Sequence, residues 1–175
     1  MKQEKIIILG QSGSGKDYLL RNLIKMGLNY LPKFTTRPKR DFETEGKEYN
    51  FISKNQYQEL KDNNMILVDQ EFSIGDDTWY YGVTKETYEK SQLFIMTPHE
   101  LSQLPEEIRS KCFKVFLNID EDIRRKRITK RSDMNDSVER RLKADKEDFK
   151  DFKEYDLRIS DPDFESEWVY DLMMF

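Results

Sequence analysis

Gly10 to Lys16 reads Gly-Gln-Ser-Gly-Ser-Gly-Lys and directly follows the apolar run Ile6-Ile7-Ile8-Leu9. The pattern Gly-x-x-x-x-Gly-Lys forms a nucleotide-phosphate loop when it joins a buried strand to a helix, and it stands in that context here. Its glycines let the backbone curl around an anion with the N–H groups pointing inward. The helix expected over Asp17 to Met26 adds the positive end of its dipole. Lys16 supplies a mobile positive charge for the outer phosphates. Gly10, Ser12, Gly13, Ser14, Gly15, Lys16 and Asp17 are therefore candidate phosphate-binding positions. Asp17 stands where such loops normally carry a magnesium-ligating Ser or Thr. It has two readings: a hard oxygen ligand for magnesium, or a first-turn acid favoured by the helix dipole.

A second constellation lies further along. Thr35-Thr36-Arg37-Pro38-Lys39-Arg40 is followed by Glu43, by Gly46-Lys47-Glu48-Tyr49-Asn50-Phe51, and later by Tyr80-Tyr81-Gly82. Two arginines on a turn with tyrosines brought near can clamp a phosphate monoester, because guanidinium bonds phosphate bidentately and phenols add uncharged donors. The plainer alternative is a charged loop whose tyrosines pack a small core. A third feature is the run from Arg124 to Arg131, basic at all positions but Ile128 and Thr129. That density repels itself unless an anion visits.

Bulk properties narrow the classes. A chain of 175 residues suits one domain with a proper core. A net charge of -4 argues against a general nucleic-acid binder. No apolar run approaches a membrane span, and Met-Lys-Gln-Glu-Lys lacks a signal-peptide pattern. Cys112 is the sole cysteine, so no internal disulfide forms, and a reducing cytoplasm is expected. Its apolar neighbours mark it as a strand residue. With His99 the sole histidine, a histidine zinc site or a catalytic triad is disfavoured.

These chemical groups need elements to hold them. Ile6 to Leu9, Leu93 to Met96, Phe113 to Ile119 and Leu157 to Ile159 read as buried strands. Leu19, Leu20, Leu23 and Ile24 recur at helical spacing before Gly27, which caps their helix. Between Leu31 and Thr84, strand-like pieces (Tyr49 to Ile52, Met65 to Val68, Trp79 to Val83) alternate with polar turns and a helix from Ser53 to Leu60. Ile74 to Trp79 reads as an insert lengthening a loop. Asp120 caps a basic helix. Ser137 starts a charged helix carrying Val138, Leu142, Phe149 and Phe152 on one side, and Phe164 to Met173 closes the chain as a helix. The expectation is an α/β fold: a three-layer core with a parallel β-sheet opened by the phosphate loop, with a β-rich insert and a basic helical appendage.

At this level the chain resembles the guanylate kinase family. Thr-Thr-Arg-Pro-x-Arg with its following acid, Gly-Lys-Glu-Tyr-Asn-Phe and Tyr-Tyr-Gly stand in that family's order and approximate spacing. Arg127 and Arg131 resemble its lid arginines, and Arg141 the arginine on the following helix. Tyr155-Asp156 and Asp161-Pro162-Asp163 resemble its closing strand and turn. The resemblance covers nearly the whole chain. It implies one domain in three parts: a core (1–32, 92–119 and 139–175), a nucleoside monophosphate (NMP) lobe (33–91) and a lid (120–138). It implies transfer of a phosphoryl group from ATP, with Mg2+, to a nucleoside monophosphate. Lys16 would bind the β and γ phosphates. Arg37, Arg40, Tyr49 and Tyr81 would hold the acceptor phosphate, with Glu43 orienting the arginines. Arg127, Arg131 and Arg141 would close over the transferring group. Such chemistry needs positioning and charge neutralisation more than a nucleophilic side chain. Arg124, Arg125, Lys126 and Lys130 are expected to form a solvated face.

The chain departs from the family where the base is read. The usual glutamate falls on Val68, with Asp69 or Glu71 within a small shift. The hydroxyl after Tyr-Gly falls on Val83, the serine before Thr-Thr-Arg near Lys33, and the acidic strand end on Phe94-Ile95-Met96-Thr97. GMP is the acceptor that the resemblance implies, but another or modified nucleotide, or a phosphorylated sugar, fits the altered reader. Magnesium would then rest on Asp17. A catalytically silent module of the same fold is the competing reading. Such modules typically lose the loop lysine and lid arginines, which this chain keeps. A kinase or nuclease acting on polynucleotide is disfavoured by the acidic balance. Partners are expected to be small nucleotides, with no membrane or nucleic-acid polymer, around a monomer or homodimer.

Overall fold

The computed structural model describes residues 5–131 and 137–174. In chain order the elements begin with β1 (Lys5–Gly10), α1 (Lys16–Lys25), β2 (Phe34–Thr35), β3 (Asn50–Phe51) and α2 (Lys54–Asp62). Next come β4 (Ile66–Ile74), β5 (Asp77–Thr84), α3 (Lys85–Lys90), β6 (Leu93–Ile95), α4 (Pro98–Gln103) and α5 (Glu106–Arg109). The chain continues through β7 (Cys112–Leu117), α6 (Glu121–Arg131), α7 (Val138–Asp148), β8 (Leu157–Ile159) and α8 (Ser166–Met174).

Four parallel strands in the order β6-β1-β7-β8 make the central sheet. Side chains alternate across a strand, and the run Ile6-Ile7-Ile8-Leu9 divides accordingly. Ile6 and Ile8 face α1 and α8, packing with Leu19, Leu23, Val169 and Met173. Ile7 and Leu9 face the other way, into a cluster with Phe94, Met96, Leu101, Cys112 and Phe116. A strand buried on both faces has no need of polar alternation, which explains its composition. Truncating Ile7 or Leu9, both fully buried, to alanine would cost about 2–5 kcal/mol. The phosphate loop leaves the C-terminal end of this strand, where open parallel sheets bind ligands.

The second sheet, β3-β2-β5-β4, is mixed. Its hairpin is longer than the sequence suggested. The segment read as a loop insert, Ile74 to Trp79, instead continues the pairing of β4 with β5 out to Ile74↔Asp77. Gly75, at φ +60°, makes the turn. Val68 and Val83 pair in register at the base of this hairpin and join the core cluster of Ile7 and Leu9. The lobe is thereby fastened to the central sheet through apolar packing.

Other boundaries follow local chemistry. Ser53 caps α2 in a reciprocal box with Gln56. Thr97 and Pro98 do more than end a strand: Thr97 caps α4 in a box with Glu100, and Pro98 takes the first helical turn. The helix begun at Ser137 ends at Asp148, earlier than its apolar spacing implied. Phe149 and Phe152 lie beyond it and pack their rings against Phe116 at 5.4 and 5.2 Å.

Candidate active site

A cavity of about 400 Å3 brings the phosphate loop together with Tyr49 and Arg141, while Arg37, Arg40, Glu43, Tyr81 and Arg127 are not among its lining residues. The loop from Ser12 to Asp17 forms one wall, Tyr49 reaches it from the second sheet, and Ile128 of α6 and Arg141 of α7 complete it. Gly13 is confined by its neighbours: at φ +75°, an added Cβ would lie 2.8 Å from the Arg124 carbonyl oxygen. Lys16 Nζ bonds the carbonyls of Gly10 at 2.6 Å and Gln11 at 3.0 Å. Ser14 is fully buried, and its hydroxyl has no partner among the described residues. Asp17 is exposed on the cavity wall. Burial first, and the Asp17 charge second, push the Tyr30 phenol up to about 12. Tyr30, which packs against the core cluster of Ile6 and Ile8, is thus within electrostatic reach of Asp17.

The expected acceptor clamp is built from side chains. Arg37 makes a two-pronged pair with Glu43, Nη2 to Oε1 at 2.6 Å and Nη1 to Oε2 at 3.0 Å. Both are about 95% buried. Burial works against the Arg37 charge, but Glu43 and Tyr81 more than offset it and raise its pKa. Glu43 also accepts the Arg40 backbone N–H at 2.8 Å, so one carboxylate organises both arginines' turn. The Arg37 guanidinium lies 5.6 Å from the Tyr49 ring centre, within cation–π range. The Tyr49 and Tyr81 rings meet edge to face at 5.6 Å. Burial, reinforced by Tyr81, holds the Tyr49 phenol protonated far above neutral pH, so it remains a hydrogen-bond donor. The Arg40 guanidinium carbon is 6.0 Å from the Phe42 ring centre.

Beyond this clamp the base-reading positions are remade. Val68 and Val83 are 1% and 0% exposed and belong to the core. They are not among the residues lining the cavity. Lys33 instead sets its ammonium 2.6 Å from both oxygens of Glu100, a carboxylate only 1% exposed. Glu100 also accepts the Thr97 N–H at 2.9 Å. The Thr97 hydroxyl donates to Gln70 Oε1 at 2.8 Å, and Gln70 sits directly across from Tyr81. Asp69 accepts the Tyr57 hydroxyl at 2.7 Å, and Glu71 is exposed. Sequence reading noted Lys33 but not its partner. The capping-box spacing of Thr97 and Glu100 was the available signal.

The basic helix divides unevenly. Arg124 is 4% exposed, contrary to the expected solvated face. Its Nε bonds the Ile119 carbonyl at 2.9 Å, closing the turn before α6. Arg125 pairs with Glu121 and Glu139, and Lys126 and Lys130 are exposed. Arg127 donates to the Gly13 carbonyl at 3.2 Å and the Pro162 carbonyl at 2.9 Å, which ties α6 to the phosphate loop. Arg131 ends α6, and its side chain, like positions 132–136 of the expected lid, lies outside the described residues.

No group of three or more His, Cys, Asp or Glu able to hold a metal occurs among the described residues. A nucleotide-borne magnesium needs less, because phosphate oxygens and water fill most of its shell. Asp17, an exposed carboxylate on the loop's cavity side, suits that part. Among the described residues no helix is long and apolar enough to cross a membrane.

The fold and the loop define a P-loop protein of the kinase-like α/β kind. The guanylate kinase family model matches residues 2–170, and the chain belongs to that family. A guanylate kinase of Agrobacterium fabrum is 28% identical over 120 residues, covering 64% of this chain and 53% of the relative. One of Nostoc is 37% identical over 83 residues, covering 46% and 40%. The chain thus spans about half the length of the curated relatives it matches, or less. The crystal structure of guanylate kinase from Anaplasma phagocytophilum superposes with a TM-score of 0.65 over 99% of this chain and 84% of that one. At 20% identity, that is a likeness of fold.

Proposed function

We propose that the protein is a nucleoside monophosphate kinase that converts ATP and a nucleoside monophosphate to ADP and the diphosphate. The observation that carries the reading is the single cavity shared by the phosphate loop, Tyr49 of the arginine–tyrosine clamp, and Arg141. An acceptor phosphate oxygen attacks the γ-phosphorus, and the bond from that phosphorus to the β–γ bridging oxygen breaks, leaving ADP. Lys16 and the loop amides of Gly13 to Asp17 hold the donor phosphates. Arg37, Arg40, Tyr49 and Tyr81 hold the acceptor phosphate, with Glu43 fixing the arginines. Arg127, Arg131 and Arg141 neutralise the group in transit. Magnesium, held through Asp17, would neutralise the donor's β and γ oxygens. The NMP lobe is 33–91 and the lid 120–138.

The acceptor's base is read differently from guanine. Guanine offers N1–H and a 2-amino group, which require acceptors. Val68 and Val83 supply none, and the Glu100 carboxylate is already engaged by Lys33 and the Thr97 amide. A site that leaves donors unpaired discriminates by large factors. The test is ADP release from ATP and Mg2+ across ribo- and deoxynucleoside monophosphates. Turnover is expected with an acceptor other than GMP exceeding GMP. Selective GMP turnover would overturn the base assignment. No turnover with any acceptor would leave the silent, nucleotide-binding module.

A further inference from the structure

Asp145 grips the phosphate loop without itself lining the cavity. Its Oδ2 accepts the Ser12 backbone N–H at 2.9 Å, and its Oδ1 accepts the Ser12 hydroxyl at 3.2 Å. Arg124 Nη1 stands 3.7 Å from the same Oδ2. The Asp145 side chain is 15% exposed and Arg124's is 5%. Asp145 does not line the cavity, whereas the loop from Ser12 to Asp17 does. The carboxylate therefore does not take the place of a phosphate. It satisfies the Ser12 amide, while the Ser14 amide is met within the loop by the Gln11 carbonyl at 3.2 Å.

Asp145 lies one helical turn after Arg141 on α7, so the two share a face of that helix. Arg141 lines the cavity. We infer that Asp145 is a positioning residue: it locks α7 to the phosphate loop so that Arg141 is aimed at the phosphates the loop holds. Arg124 carries the same lock to α6, whose Arg127 bonds the Gly13 carbonyl. Loop, α6 and α7 form one rigid phosphate cage, and Asp145 is its joint. This inference rests on the proposed kinase reading for its catalytic consequence, but the lock itself is independent of that reading.

The test is a double-mutant cycle between Asp145→Ala and Arg141→Ala, with Asp145→Asn as a milder variant should the alanine fail to fold. If Asp145 acts through Arg141, each single variant lowers kcat by roughly 10- to 100-fold, as expected for a displaced transition-state group. The acceptor KM stays near wild type, and the double variant is no worse than Arg141→Ala. Multiplying losses, or a wild-type kcat for Asp145→Ala, would overturn the assignment. If the wild-type protein turns over no acceptor, the kinase reading fails and the same cycle is read on binding of a non-hydrolysable ATP analogue. Weakening by Asp145→Ala that vanishes in the Arg141→Ala background supports the lock. Weakening that persists there, or none, refutes it.

Discussion

The two proposed anion sites, of which the second reaches the cavity through Tyr49, are made of different materials. The donor site is main chain: a loop of amides at the end of a strand buried from Ile6 onward, with Lys16 as its cation. The acceptor site is side chain: Arg37, Glu43, Tyr49 and Tyr81 held together by their own pairing. A backbone site takes its rigidity from the sheet beneath it. A side-chain site must supply rigidity from within, and here a buried ion pair does so. The difference implies that one site can lose its charge and keep its shape, while the other cannot.

The largest expected effect breaks the acceptor side. Glu43→Ala leaves a buried Arg37 without its partner, which costs about 3–5 kcal/mol of stability, measured by urea unfolding. Burial pushes the Glu43 carboxyl up, but Arg37 and the Arg40 amide pull it further the other way, below its ordinary 4.5. A carboxyl lowered on folding stabilises fully above its unfolded value, and that contribution is lost as pH falls through the folded value. The gap between wild type and Glu43→Ala should therefore shrink in acid below the ordinary carboxylate range and stay constant at neutral pH. A gap that grows in acid would contradict the pairing.

Lys16→Met is the matching break on the donor side. Lys16 Nζ donates to the carbonyls of Gly10 and Gln11, and the strand beneath is held by its own apolar packing, so the sheet should keep its shape. Phosphoryl transfer should fall about 10²- to 10³-fold, the usual loss of one preorganised charge donor. The melting temperature should hardly move. A variant that unfolds instead would mean that the loop depends on its lysine for shape, and the contrast between the two sites would disappear.

The same contrast explains what the sequence made legible. A main-chain site has to be written locally: a strand, glycines and a lysine in fixed order. The loop, its strand and α1 could thus be read without knowing any tertiary contact. The order of arginines and tyrosines marked the clamp, although the grip of Glu43 on Arg37 came only from the resemblance. What was hidden depended on partners distant in the chain. Lys33 meets Glu100 across 67 positions, and Ser12 meets Asp145 across 133. Arg124 looked like any other residue of a basic helix, yet it turns inward because the Ile119 carbonyl and Asp145 receive it. The hairpin around Gly75 was missed because Asp76 and Asp77 resemble a polar loop. Yet Asp77 pairs across to Ile74, and Asp76 shares the turn with Gly75.

Asp17 sharpens the comparison, because under the proposed function it is where the main-chain site would rely on a side chain of its own for the metal. An ordinary first-turn acid would act through the helix dipole, contributing about 0.3–1 kcal/mol with or without magnesium. A magnesium-linked carboxylate acts only when the metal is present. Asp17→Asn keeps the shape of the side chain and removes its charge. The expected outcome is a rise of roughly 10- to 100-fold in the Mg2+ concentration needed for half-maximal turnover. Binding of ATP in the presence of EDTA should be unchanged or slightly tighter, since a negative charge beside the phosphates has gone. Titrating Mg2+ against turnover, and ATP against the metal-free protein, separates the two roles. Equal Mg2+ dependence in both proteins would make Asp17 a helix-start acid and leave the metal to the phosphates and water alone.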